Sequence, residues 1–181
     1  MTIGMTTSIP SRKVSSTRLL ALSVVIMLAG VVVIVAPHLS RLDVRVAVAL
    51  LLFFTSALHL AFAWPFRPAP AVLWQVLVSI AYGAIGLYLL GHTQLSIDSI
   101  RMPLAAWLMI DGLLEWGLVF RFTAARAWLV LDAITTIALA AMVATGWPSP
   151  EQWVLAALIG INTFLGGLTR LFVAISFRRA T

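Results

Sequence analysis

Hydrophobic residues run through this 181-residue chain in six unbroken stretches, at about 18–36, 44–64, 71–91, 103–121, 127–146 and 152–176. An α-helix rises 1.5 Å per residue, so about 20 residues cross the roughly 30 Å of bilayer hydrocarbon. Each stretch is near that length. Strands are not expected, because the apolar runs do not alternate and an open sheet leaves its edge groups unpaired in lipid. The pattern predicts an all-α membrane protein with six transmembrane helices. Segments such as "WPFRPAP" and "TGWPSPEQ" separate the stretches, and their prolines cannot continue a helix. The interiors of the helices are expected to be free of proline. Residues 1–16, rich in Ser and Thr, read as a disordered tail, and residues 17–179 as one transmembrane domain.

Composition agrees with the pattern. The chain is 62% hydrophobic and only 10% charged, with a mean hydropathy of +1.07, against roughly 45–50% and 25% in soluble domains. The first stretch follows Arg12, Lys13 and Arg18. No small-residue cleavage pattern comes after it, so it reads as a retained helix and not a cleaved signal. The net charge of +6 is distributed at the ends of the stretches, which speaks for membrane edges and against nucleic acid. A cytoplasmic N-terminus puts Arg12, Lys13, Arg18, Arg67, Arg121, Arg126, Arg178 and Arg179 inside, against Arg41, Arg45 and Arg101 outside. The excess of inside arginine and lysine sets the orientation of a multi-pass protein, with both termini cytoplasmic. Asp43, Asp98 and Glu151 fall on the outer side. Trp64, Trp74, Trp128, Trp147 and Trp153 lie near helix ends, where indoles suit the headgroup layer.

A repeat of roughly 50 to 56 residues is also present. "GVVVIVAPHLSRLDVRVAVALLLFFTSALHLAFAW" resembles "GAIGLYLLGHTQLSIDSIRMPLAAWLMIDGLLEWGLVF", and more weakly "TIALAAMVATGWPSPEQWVLAALIGINTFLGGLTRLF". Three helical hairpins are expected, over about 18–64, 71–121 and 127–176. An even number of spans per unit makes the repeat parallel.

Within this frame, "GLYLLGHTQLS", "MIDGLLEWGLVFRF", "WLVLDAITTIAL" and "LIGINTFLGGLTRLF" resemble the HdeD acid-resistance membrane protein family, over about residues 19–177. The resemblance implies an inner-membrane protein linked to acid stress, acting by a structural or interaction role. It implies no catalytic residues.

The candidate chemistry is intramembrane. Asp111 and Glu115 in "MIDGLLEWGLVF" are four residues apart and therefore stand one turn apart on one helix face. Facing lipid, each would cost roughly 2.5–3.5 kcal/mol, so that face points into the bundle. The repeat places Thr55 and His59 at the equivalent positions of the first hairpin, and Asn162 and Gly166 in the third. A polar layer thus recurs three times. Asp132 stands about one turn into the fifth helix, and Arg170 about two turns short of the end of the sixth. A helical side chain leans toward its own N-terminus, so Arg170 is expected to reach toward the membrane centre and pair with Glu115 or Asp132. Asp111 is expected to hydrogen-bond Asn162, Thr55 or Ser56.

Two readings of this cluster follow. Asp111, Glu115, Asp132, Arg170, Asn162 and His59 either glue the bundle together or form a proton-responsive site, as in a small proton-coupled carrier or channel. His38 and His92 recur at the outer ends of the hairpins; they are either solvated turn residues or pH sensors. Gly30, Gly83, Gly86, Gly112, Gly117, Gly160, Gly166 and Gly167 read as close-packing sites, with Ser79–Gly83 and Thr163–Gly167 in small-xxx-small spacing. No cysteine is present and the three histidines lack metal-ligand spacing. No metal, cofactor or enzymatic activity is expected. The expected partners are the lipid bilayer and other copies of the chain in a homo-oligomer; no protein partner is indicated.

Overall fold

The computed structural model describes residues 16–39, 43–63, 69–92, 96–120 and 126–179. Among the described residues every regular element is helical: α1 (Ser16–Leu39), α2 (Val44–Ala63), α3 (Ala69–Gly91), α4 (Ile97–Val119), α5 (Arg126–Thr145) and α6 (Gln152–Arg179). Four of them, over Leu20–Leu39, Val44–Ala61, Arg126–Thr145 and Gln152–Phe172, are long and apolar enough to cross a membrane; α3 adds the shorter apolar stretch Val76–Gly91. Their outer faces are apolar too. Leu28, Val32, Leu50, Leu87 and Leu113 are exposed, Leu87 to 65%. In a water-soluble bundle such a surface would drive association; it is the surface that a membrane protein presents. The sequence tail before residue 16, Trp64 and the basic residues Arg12, Lys13, Arg41, Arg67 and Arg121 lie outside the described residues. The same holds for the side chains of Arg18, Trp74, Arg178 and Arg179.

The even-numbered helices each begin with an acid. Asp43 caps α2, its carboxylate accepting the backbone N–H of Arg45 at 2.9 Å, which satisfies one orphan donor of the first turn. In α4 the acid is Asp98, one residue past the first, ion-paired with Arg101 at 2.9 Å. Glu151 precedes α6 and accepts from the Trp153 indole. Ser96 and Ser99 start α4, their hydroxyls hydrogen-bonded to each other. These signals explain why α4 begins at Ile97 and not near 103. Pro103 therefore lies inside α4, and Pro37 inside the last turn of α1, which corrects the expectation of proline-free helices. Gly146 ends α5 with φ +67°. The N–H of Trp147 donates to the Met142 carbonyl and that of Gly146 to the Val143 carbonyl, a Schellman closure that needs the left-handed residue.

The tight pairs are not the units of the repeat. The most extensive packing joins α1 to α6, α4 to α5 and α2 to α3, while α1–α2, α5–α6 and α3–α4 touch far less. The closest helix pairs are thus offset by one helix from the repeat units at 18–64, 71–121 and 127–176. Small residues decide where close approach occurs, because without a hydrophobic drive in lipid, helices gain by dispersion and interhelical hydrogen bonds. Between α2 and α3, the Ser56 hydroxyl donates to the Ser79 carbonyl at 2.8 Å and the Ser79 hydroxyl to the Ser56 carbonyl at 2.9 Å. Between α4 and α5, Gly112 lies against Ala133 and Ile137. Between α1 and α6, Gly30 meets Gly160 and Gly167 meets Met27 and Ser23. Gly117 faces open space and is not a packing site.

A methyl group on Gly30 would stand 2.6 Å from the Gly160 carbonyl oxygen and 2.7 Å from the Phe164 backbone nitrogen. Backbone atoms cannot swing aside, so Gly30→Ala should lower stability by about 1–3 kcal/mol, the usual cost of overpacking. Gly117→Ala should be neutral or slightly stabilising. Thermal melts of both variants in detergent check this, with equal melting temperatures as the outcome that contradicts it.

Candidate functional site

Along the even helices the interior changes character. The apolar core occupies the end remote from Ser16 and Arg179, through Val44, Val48 and Leu52 of α2, Leu104 and Leu108 of α4 and Leu155 and Ile159 of α6. One or two turns further along the same three helices the interior becomes polar and opens into a cavity of about 80 Å³. Thr55 and His59, Asp111 and Glu115, and Asn162 and Gly166 all line it. The three repeat-related pairs therefore share one chamber, and the polar layer written in the repeat is a physical one.

The acids are held by donors from neighbouring helices. The Tyr82 hydroxyl of α3 donates to Asp111 Oδ2 at 3.1 Å, and the Thr136 hydroxyl of α5 donates to Glu115 Oε2 at 3.2 Å. Asp111 therefore does not bond Asn162, Thr55 or Ser56 as the sequence suggested. Tyr82 is fixed by aromatic contacts, stacked on His59 with ring centroids 5.4 Å apart and edge-on to Trp107 at 4.5 Å; such geometries suit the ring quadrupoles. Trp107 also lines the cavity, is 8% exposed, and its indole N–H approaches the Tyr82 hydroxyl.

Arg170 lies on the facing wall. One guanidinium nitrogen comes within 2.9 Å of where a methyl on Gly166 would be, so the side chain folds back toward the α6 N-terminus, as its helix direction requires. It lies in the electrostatic reach of Asp111, Glu115 and Asp132. Even so, no described carboxylate is within 4.0 Å of it, which corrects the expected ion pair. Asp132 is apart from the chamber: it is buried at 5% exposure, the Thr169 hydroxyl faces its carboxylate, and its Oδ1 has no donor.

His38 and His92 are brought to no common site. Each is exposed at the end of its helix, and its ring Nδ1 donates to the carbonyl four residues back, that of Ile34 at 3.1 Å and that of Tyr88 at 3.0 Å. His38 lies edge-on to Trp153, and His92 against Tyr88. Among the described residues no group of three or more His, Asp or Glu side chains could hold a metal ion. Tyr82 and Trp107 are the site residues that sequence reasoning missed. The signal was available for Trp107: an indole in mid-helix, away from the headgroup layer, must place a polar N–H inside the bundle.

Residues 21–91, under half of the chain, match the family described as "Short repeat of unknown function (DUF308)". The match spans α1 to α3 and is independent of the internal repeat read above. No curated protein and no solved structure is matched by the chain.

An unpaired Arg170 has a measurable consequence. Breaking a buried ion pair costs about 3–5 kcal/mol, and Arg170→Met should cost well under that. Combined with Glu115→Gln, the losses should add within about 0.5 kcal/mol. A double-mutant cycle in detergent measures the coupling, and a value above about 1 kcal/mol would establish a direct pair.

Proposed function

We propose that the chain is a six-span inner-membrane protein of the HdeD type, with both termini cytoplasmic, that acts in acid stress as a small proton-coupled carrier and not as an enzyme. The observation that carries this reading is the chamber itself. Bundle glue requires a dry interior with every charge paired; here two carboxylates and a guanidinium face a common space without an ion pair. The family match over residues 21–91 supports a repeat-built membrane protein, and the motif resemblance supplies the acid-stress link.

Charge arithmetic gives the response to acid. With Asp111 and Glu115 ionised, His59 neutral and Arg170 positive the chamber carries a charge of −1, and protonating both acids and His59 makes it +2. The charge sign that the chamber favours therefore inverts as protons bind. Around the two acids stand His59 from α2, Tyr82 from α3, Asp132 from α5 and Arg170 from α6. The face that α1 contributes is the apolar Ile26.

Two tests follow. Asp111→Asn, nearly isosteric and permanently neutral, should keep normal protein levels and abolish acid-dependent survival in cells that rely on this chain; unchanged survival would leave only a structural role. Reporter fusions at residues 67 and 124 and at the C-terminus should read cytoplasm, and those near 42, 97 and 149 the opposite side. Any odd number of spans contradicts the topology.

A further inference from the structure

We infer that the chamber binds a small zwitterion, a molecule of the size of glycine or alanine that carries an ammonium and a carboxylate together. The inference rests on reading the chamber as a binding site, and it adds the chemical class of what binds. Its first support is that the walls present unanswered groups of both kinds. Arg170 has no described carboxylate within 4.0 Å. Asp111 and Glu115 each use one oxygen, toward Tyr82 and Thr136, and their other oxygens receive no hydrogen bond from a described residue. A ligand that is only a cation leaves the guanidinium unanswered, and one that is only an anion leaves the acids facing each other. A zwitterion answers both.

The second support is the placing of the charges. The acids project from α4 and Arg170 from α6, on the border of one space, so a ligand lodged between them meets opposite charges at its two ends. Guanidinium binds carboxylate through paired N–H donors. An ammonium gains from carboxylates, which Asp111 and Glu115 supply on the α4 side. The third support is size. A cavity of about 80 Å³, several times the roughly 10–15 Å³ that one water needs on the same measure, has room for a small ligand of several non-hydrogen atoms.

Gly166 provides a test that leaves all charges in place. A methyl there meets a guanidinium nitrogen of Arg170 at 2.9 Å, and the flexible end of an arginine can move aside, so Gly166→Ala should fold while displacing the cationic half of the site. Calorimetric titration of the full chain in lipid nanodiscs at neutral pH, with alanine, ethylammonium and acetate as probes, reads the specificity. Alanine should bind at least tenfold more tightly than either single-charge probe. Gly166→Ala and Asp111→Asn should each weaken alanine at least tenfold with the protein still monodisperse, and Gly117→Ala, which faces open space, should leave it unchanged. Ethylammonium binding as well as alanine would make this a cation site, acetate binding as well would make it an anion site, and no binding by any probe would make it a hydrated cavity; each overturns the inference. Alanine binding without an acid phenotype in Asp111→Asn cells would uphold the zwitterion site and refute the proton-coupled reading. The reverse pair of results would refute the zwitterion and keep proton coupling.

Discussion

The contact on which the arrangement depends is the crossing of the first and last helices at Gly30 and Gly160. Each glycine lies where a methyl would meet the other's carbonyl oxygen, at 2.6 and 2.7 Å. Backbones at this range gain dispersion along their whole line of contact, which in lipid replaces the hydrophobic drive. The contact does more than add stability. It closes the bundle between the two ends of the sequence and fixes the rotation of α6, so that Asn162 and Gly166 look inward at α2 and α4 and the exposed Arg170 lies on the chamber's border. The serine exchange between α2 and α3 and the Gly112 contact between α4 and α5 do the same for the other two pairs.

Once three tight pairs exist, the space between them is what side chains leave. At the end remote from the termini the even helices carry valine and leucine, and the pairs meet in a filled core. Further along, the same helices carry Thr55, His59, Asp111, Glu115, Asn162 and Gly166, with shorter or charged side chains that do not interdigitate. Hydration and hydrogen bonds favour an open chamber there, because a polar group sealed without a partner costs more than the dispersion gained by closing over it. The chamber and the core are therefore two outcomes of one geometry.

Much of this was legible in the sequence. Unbroken apolar stretches marked six helices with ends close to those found, and the repeat aligned Thr55–His59, Asp111–Glu115 and Asn162–Gly166 before any geometry was known. Periodicity reports which face points inward, and that is what these residues share. It does not report which neighbour a face meets, and the closest helix pairs are not the two helices of one repeat unit. The start of α4 was missed because the apolar pattern begins after the cap, whereas Ser96, Asp98 and Arg101 build the first turns from polar contacts. Tyr82 was missed for another reason: it belongs to an odd helix, outside the repeat's polar layer, and reaches Asp111 only through tertiary packing.

The same limit explains the error over Arg170. Depth along the helix put the guanidinium and the acids at similar levels, and opposite charges at similar depth in low dielectric were expected to close on each other. What depth does not contain is the lateral hold on each group. Tyr82 draws Asp111 toward α3, and Thr136 draws Glu115 toward α5. Thr169 faces Asp132 behind the chamber wall, while Arg170 lies back over the bare surface of Gly166. Asp111 and Glu115 are thus each held on their own side by a neutral donor, and Arg170 is exposed, so none is drawn across the gap. A pair closed across the chamber would have to give up those hydrogen bonds and the hydration of both ions, losses that the mutual attraction of buried charges often fails to exceed. The open arrangement survives on that balance, and it keeps charges of both signs on one small space.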